Sequence, residues 1–255
     1  MSVNSFLKNY RNILNYHGYN FYGFKRVIDQ ILEVDFFDFS RGHKVHTAFI
    51  KTPEYTSDQY MHYQPAYTSV VKEMIQLSVA YYTSISYSDK SRFPIFVDLG
   101  CGSGKTLLIA EQFPYFKSIF GIEIDKELSN ICEQNLQSLS SNNNFCINAN
   151  VEEKQAINEL LHFLDDTDID DITVFAFNKN SYGQKVLESS LNLLKEKFNN
   201  IFYLYQNPVF GQVLLDNGFY EVLSDSKNST VHKNYKYKIY HYTKSDHSHE
   251  LHKNK

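Results

Sequence analysis

The chain has 255 residues, 42% of them hydrophobic and 21% charged, enough for one sizeable α/β domain with a decorated terminus. A formal net charge of -4 and a pI near 6.2 give no uniform basic field of the kind that holds nucleic acid by its phosphates. No window approaches the roughly 18 apolar residues of a membrane span. Cys101, Cys132 and Cys146 are far apart and form no CxxC pair, which predicts neither a disulfide framework nor a zinc cluster and suits a reducing cytoplasm.

From Ser5 to Glu33 the apolar residues recur at helical spacing and break at His17-Gly18, which predicts two helices. Residues 35–67 mix Gly, Pro, Ser, His and Tyr without a sustained period and read as a long loop or lid. A helix is expected over Thr68–Tyr82. A regular alternation follows: strands PIFVDL, SIFGIEI, FCINA, DITVFAFN and IFYLYQ, each followed by a helical segment. Continuous apolar strands joined by crossover helices predict a parallel sheet covered on both faces. FYEVLSD and YKYKIYHYT are joined by a loop too short for a crossover helix and predict an antiparallel hairpin. The expected fold is α/β: a Rossmann-like, doubly wound sheet of seven strands, mostly parallel with a C-terminal antiparallel hairpin. The expected organisation is N-terminal helices and lid over 1–65, a main domain over 66–243 and a disordered tail over 244–255.

The loop after the first strand, VDLGCGSGKT, carries the chemistry. A phosphate-gripping P-loop needs G-x-x-x-x-G-K-[ST], and counting back from Gly104-Lys105-Thr106 puts Leu99 where the first glycine belongs. The magnesium-holding acid that a P-loop needs on a later strand is replaced by Asn178. The dinucleotide fingerprint G-x-G-x-x-G also fails, because Gly100, Gly102 and Gly104 are spaced G-x-G-x-G. A strand that ends in Asp98, turns through three glycines and enters a helix at Lys105 resembles motif I of the class I S-adenosylmethionine-dependent methyltransferases, hhDhGxGxG.

That resemblance implies that the loop amides meet the cofactor's carboxylate and that Asp98 lies near its ammonium group. Glycines let the backbone approach a ligand at positive φ. A carboxylate about 20 residues on, at the tip of the next strand, takes ribose hydroxyls. Glu123 has that place, while Asp125 suits a helix cap. Asn150 and Val151 follow the third strand where the family reads adenine. Asn178 ends the fourth strand where the family faces the methyl group. The cofactor set expected from the resemblance is Asp98, Gly100, Cys101, Gly102, Gly104, Glu123, Asn150, Val151 and, from the lid, Tyr63. Asn178 and Tyr182 are the candidate catalytic residues, with Tyr60, His62 and Asn207 as further acceptor-side candidates.

The segments DFSRGHKVHT, HYQPAY, FVDLGCGSGK, GIE, VFAFNKNSYG and YLYQNPVF resemble a bacterial class I group, from which Ser103 and Lys105 depart. A more distant likeness is to the non-SET histone-lysine methyltransferases. The tail has only Lys244, Lys253 and Lys255 among acids and histidines, which does not make a nucleosome-binding arm. His247, His249 and His252 read as a solvated tail, and the acidic run 165–171 as a solvated loop. The function implied is methyl transfer from S-adenosylmethionine to a small molecule, glycan or protein side chain. An inactive cofactor-binding module stays as an alternative, with a P-loop triphosphatase behind it.

Overall fold

The computed structural model describes residues 3–37, 65–85, 93–139, 143–164, 167–224 and 236–244. The lid candidates Tyr60, His62 and Tyr63, together with the tail beyond 244, lie outside these residues. Two helices open the chain, α1 (Val3–His17) and α2 (Phe21–Gln30), separated at Gly18, and α2 runs into a π-helical turn over Ile31–Asp35. Helix α3 (Thr68–Ile85) follows.

The alternation then runs β1 (Phe93–Leu99), α4 (Lys105–Ala110), β2 (Ser118–Glu123), α5 (Lys126–Gln137), β3 (Asn144–Asn148) and α6 (Lys154–His162). It continues with β4 (Ile172–Asn178), α7 (Gln184–Lys197), β5 (Asn200–Gln206), α8 (Gly211–Asp216), β6 (Tyr220–Ser224) and β7 (Tyr237–Thr243). The strand order is β3-β2-β1-β4-β5-β7-β6. Strands β1 to β5 pair in parallel, with Val97 between Phe120 of β2 and Ala176 of β4. The order reverses between β2 and β4, so the ends of β1 and its neighbours open a crevice at a topological switch point.

The expected hairpin is present, but its second strand is inserted next to β5 and β6 forms the edge. Composition explains the order. In β7, Tyr237, Ile239, Tyr240 and His241 are buried, so that strand needs cover on both faces, whereas β6 presents Tyr220 and Glu221 to solvent. An ion pair of Glu221 with Lys238 (2.6 Å) and a bulge between Glu221 and Leu223 blunt the edge against further pairing.

The core has two layers, one on each face of the sheet. Val174, Ala176, Ile201 and Tyr203 face α6, α7 and α8, while Phe96, Phe175, Phe177 and Phe202 face α3, α4 and α5. The second layer is aromatic: Phe175 stacks on Phe202 at 5.0 Å, and Phe202 stacks on His241 at 4.1 Å. His241 is satisfied within this layer, its ring nitrogens lying 2.5 Å from the Tyr220 hydroxyl and 2.7 Å from Asn200 Oδ1. No described helix is long and apolar enough to cross a membrane. Phe175 touches Tyr82, Tyr115, Phe116 and Phe202 and is fully buried. Phe175→Ala therefore removes the centre of the aromatic layer and should lower unfolding stability by about 3–5 kcal/mol in urea titration, with the midpoint falling and the slope unchanged.

Candidate functional site

The loop after β1 turns back over the tip of β2. Gly100, Gly102 and Gly104 have φ of +87°, +57° and +85°, the left-handed region that side chains resist. The amides of Gly100 and Cys101 both donate to the Ile122 carbonyl, at 2.9 and 3.1 Å. Space is short as well as curvature: a Cβ on Gly104 would stand 2.6 Å from Cys132 Sγ, and one on Gly100 would stand 3.1 Å from Ser181 Cβ.

Glu123 fastens this loop from the neighbouring strand. Its Oε2 accepts the Gly102 N–H at 2.8 Å and its Oε1 accepts the Asp125 N–H at 2.9 Å. One carboxylate thus fixes the turns that follow β1 and β2. Burial pushes its pKa up to about 7, with the two amides pulling the other way. Asp98 lies on the adjacent strand, accepts a hydrogen bond from the Thr106 hydroxyl, and is held well above the ordinary carboxylate range by burial and by the charge of Glu123. Among the described residues neither acid takes part in an ion pair. Two buried carboxyl groups at adjacent strand tips suit a ligand that brings a cation and hydroxyl donors, as the ammonium and ribose of S-adenosylmethionine do.

Lys105 and Thr106, the residues behind the P-loop reading, are turned elsewhere. Lys105 is buried; its ammonium donates to the Glu33 carbonyl and stands 5.2 Å from the centre of the Phe37 ring. Thr106 is spent on Asp98. Glu33 also caps α3, its Oε2 accepting the Ser69 N–H at 2.8 Å. The turn over Ile31–Asp35 is therefore tied to both the glycine loop and α3.

The other predicted residues divide. Val151 is buried after β3, and Asn150 shapes its turn by accepting the Glu152 N–H at 3.1 Å. Asn178 is fully buried at the end of β4; its amide donates to the Leu99 carbonyl at 3.4 Å and its Oδ1 accepts the Ser181 N–H at 3.2 Å. It joins the tips of β1 and β4 and shapes the turn between. Tyr182 leaves the crevice for the core, its hydroxyl 3.3 Å from that of Tyr203, with its pKa raised to about 12 by burial. Asp125 caps α5, accepting the Leu128 N–H at 2.9 Å. Asn207 stands beyond β5 with φ +54°. The three cysteines, far apart in the sequence, meet in space as free thiols: the Cys101 Sγ lies 3.9 Å from that of Cys132 and 3.8 Å from that of Cys146.

Several contributors carried no sequence signal. Asn148 donates to the Glu123 carbonyl at 2.9 Å, and Asn135 to the Ser103 carbonyl at 2.8 Å. In the turn after β4, Asn180 has φ +57° and accepts the Tyr205 hydroxyl at 2.7 Å. Lys179 donates to the Pro65 carbonyl at 3.1 Å, and burial lowers its pKa to about 8 with help from Arg26. An Asn-rich turn can be read from sequence; its partners cannot.

Residues 92–177 match a family model described as "Putative methyltransferase". No curated protein sequence matches the chain. Solved structures with a similar fold include a magnesium protoporphyrin IX methyltransferase of Synechocystis with bound S-adenosylmethionine, 12% identical, TM-score 0.46, covering 87% of this chain and 97% of that one. A "putative RNA methyltransferase" of Pyrococcus horikoshii is 14% identical, TM-score 0.47, with 78% and 92% covered. A "Putative methyltransferase" of Escherichia coli is 18% identical, TM-score 0.45, with 76% and 92% covered. None of these similarities bears on the acceptor.

Two measurements probe the site's construction. Because Glu123 titrates near 7 when folded and near 4.3 when unfolded, its contribution is fully present in acid and is lost as pH rises through about 7. The melting temperature of the ligand-free chain should fall between about pH 4 and pH 7, and Glu123→Gln should flatten that slope. Gly104→Ala meets both a φ of +85° and the Cys132 sulfur, and should cost about 1–3 kcal/mol of stability by denaturant melts.

Proposed function

We propose that this chain, a class I methyltransferase by fold and by the family model over residues 92–177, binds S-adenosylmethionine over the glycine loop and methylates a small molecule, a glycan or a protein side chain. The observation that carries the reading is the Glu123 carboxylate bonded to the Gly102 amide, with Asp98 buried on the adjacent strand. The glycine curvature and the two buried acids, neither in an ion pair among the described residues, meet at one crevice, where sheets of this kind take ligands. In the proposed pose Asp98 receives the cofactor's ammonium, Glu123 its ribose hydroxyls, and the Asn150–Val151 turn its adenine. Residues 66–243 would form the catalytic domain, with 1–65 as its cover and the cytoplasm as its compartment.

The cofactor supplies a methyl carbon already activated by a sulfonium leaving group, so alignment and exclusion of water are the protein's main tasks. An acceptor lone pair forms the new bond to that carbon as the carbon–sulfur bond breaks and its electron pair returns to sulfur. Asn178 serves as a positioning residue, because it fixes the turn after β4 against the tip of β1.

Thermal shift tests the cofactor. S-adenosylmethionine and S-adenosylhomocysteine should raise the melting temperature, by about 2.7 kcal/mol of stabilisation at a hundredfold excess over Kd, while ATP with magnesium and NAD leave it unchanged. Stabilisation by ATP with magnesium alone would overturn the reading. Release of S-adenosylhomocysteine with an acceptor pool separates an enzyme from an inactive binding module. Asn178→Ala should then lower kcat about ten- to a hundredfold and leave cofactor affinity nearly unchanged.

A further inference from the structure

Cys101, Cys132 and Cys146 come from three different elements, the glycine loop, α5 and β3, yet their sulfurs all lie within 4.8 Å of one another. The Sγ of Cys101 is 3.9 Å from that of Cys132 and 3.8 Å from that of Cys146. A tetrahedral thiolate site with metal–sulfur bonds of about 2.3 Å has sulfur–sulfur edges of about 3.8 Å. A disulfide would need one pair to close to about 2.05 Å and would leave the third thiol out.

Glycines make the room. A Cβ on Gly121 would stand 2.6 Å from Cys101 Sγ, and a Cβ on Gly104 would stand 2.6 Å from Cys132 Sγ. Ser129 stands beside the cluster, its buried hydroxyl 3.4 Å from Cys146 Sγ. Cys101 and Cys132 are buried and Cys146 is half-buried, leaving one side for entry.

We propose that Cys101, Cys132 and Cys146 form a three-thiolate site for a thiophilic divalent cation of the zinc class, which cross-links the glycine loop to α5 and β3. Binding exchanges three S–H bonds for three metal–sulfur bonds. Three protons leave to solvent, and neither metal nor sulfur changes oxidation state. The fourth position takes water or another small donor. The proposal stands apart from methyl transfer, since its readout is the metal itself.

The test is anaerobic titration of the reduced full chain with cobalt(II) chloride alone. Expected are thiolate-to-cobalt charge-transfer absorption and tetrahedral visible bands that saturate at a single cobalt per chain and are displaced by zinc. C101S, C132S and C146S, with folding checked by circular dichroism, should each lose most of that absorption. No charge-transfer band, or a band that survives C132S undiminished, overturns the proposal; visible cobalt bands without charge transfer place the metal on non-sulfur ligands, for instance the tail histidines. If the variants fail to fold, the wild-type chain still decides. Zinc alone should slow iodoacetamide alkylation of Cys146 by about tenfold or more, and an unchanged rate overturns the proposal.

Discussion

The crevice depends on a single carboxylate placed between two turns. Glu123 ends β2 and takes one amide from the loop after β1 and one from the turn after β2, at 2.8 and 2.9 Å. A neutral side chain of the same shape would satisfy only one of those donors as acceptor, and a shorter acid would not span them. The cost is a charge held in a largely dry place, seen in the rise of its pKa to about 7. Such a group is poised rather than relaxed: ligand hydroxyls that donate to it recover part of what burial took away. In the proposed pose the same side chain that builds the loop also takes the ligand's hydroxyls.

Asp98 repeats the arrangement one strand over. Its partner is the Thr106 hydroxyl, one residue into α4, so the first turn of that helix is fastened to the strand that precedes the loop. Lys105 beside it crosses instead to the N-terminal segment. A sequence that looks like the end of a phosphate loop is in this fold a pair of clamps, one on Asp98 at the tip of β1 and one on the N-terminal segment at Glu33. The words of the motif are shared between two cofactor classes, and what separates them is where the side chains go.

Much of the architecture was legible in sequence because parallel strands covered on both faces read as unbroken apolar runs, as in FPIFVDL and ITVFAFN. The glycine spacing and Glu123 could also be found, since a loop of tight curvature and a tip acid are local features. What could not be read depends on contacts between distant segments. The insertion of β7 beside β5 depends on both of its faces finding cover. The three cysteines meet because α5 and β3 both pack beside the loop, a convergence that spacing along the chain cannot express. Asn178 and Tyr182 were singled out by their place at the end of the fourth strand, which does not show their partners: one is engaged by Leu99 and Ser181 and the other by Tyr203.

The placement of β7 also orders the assembly of the sheet in time. β5 cannot close its outer edge until residues 237–243 have been made, since β6, synthesised earlier, pairs only with β7. On a ribosome the parallel half would emerge with the backbone N–H and C=O groups along the outer edge of β5 unpaired and ready to accept an extended peptide. A nascent chain of this design has reason to meet a chaperone before its last strand arrives.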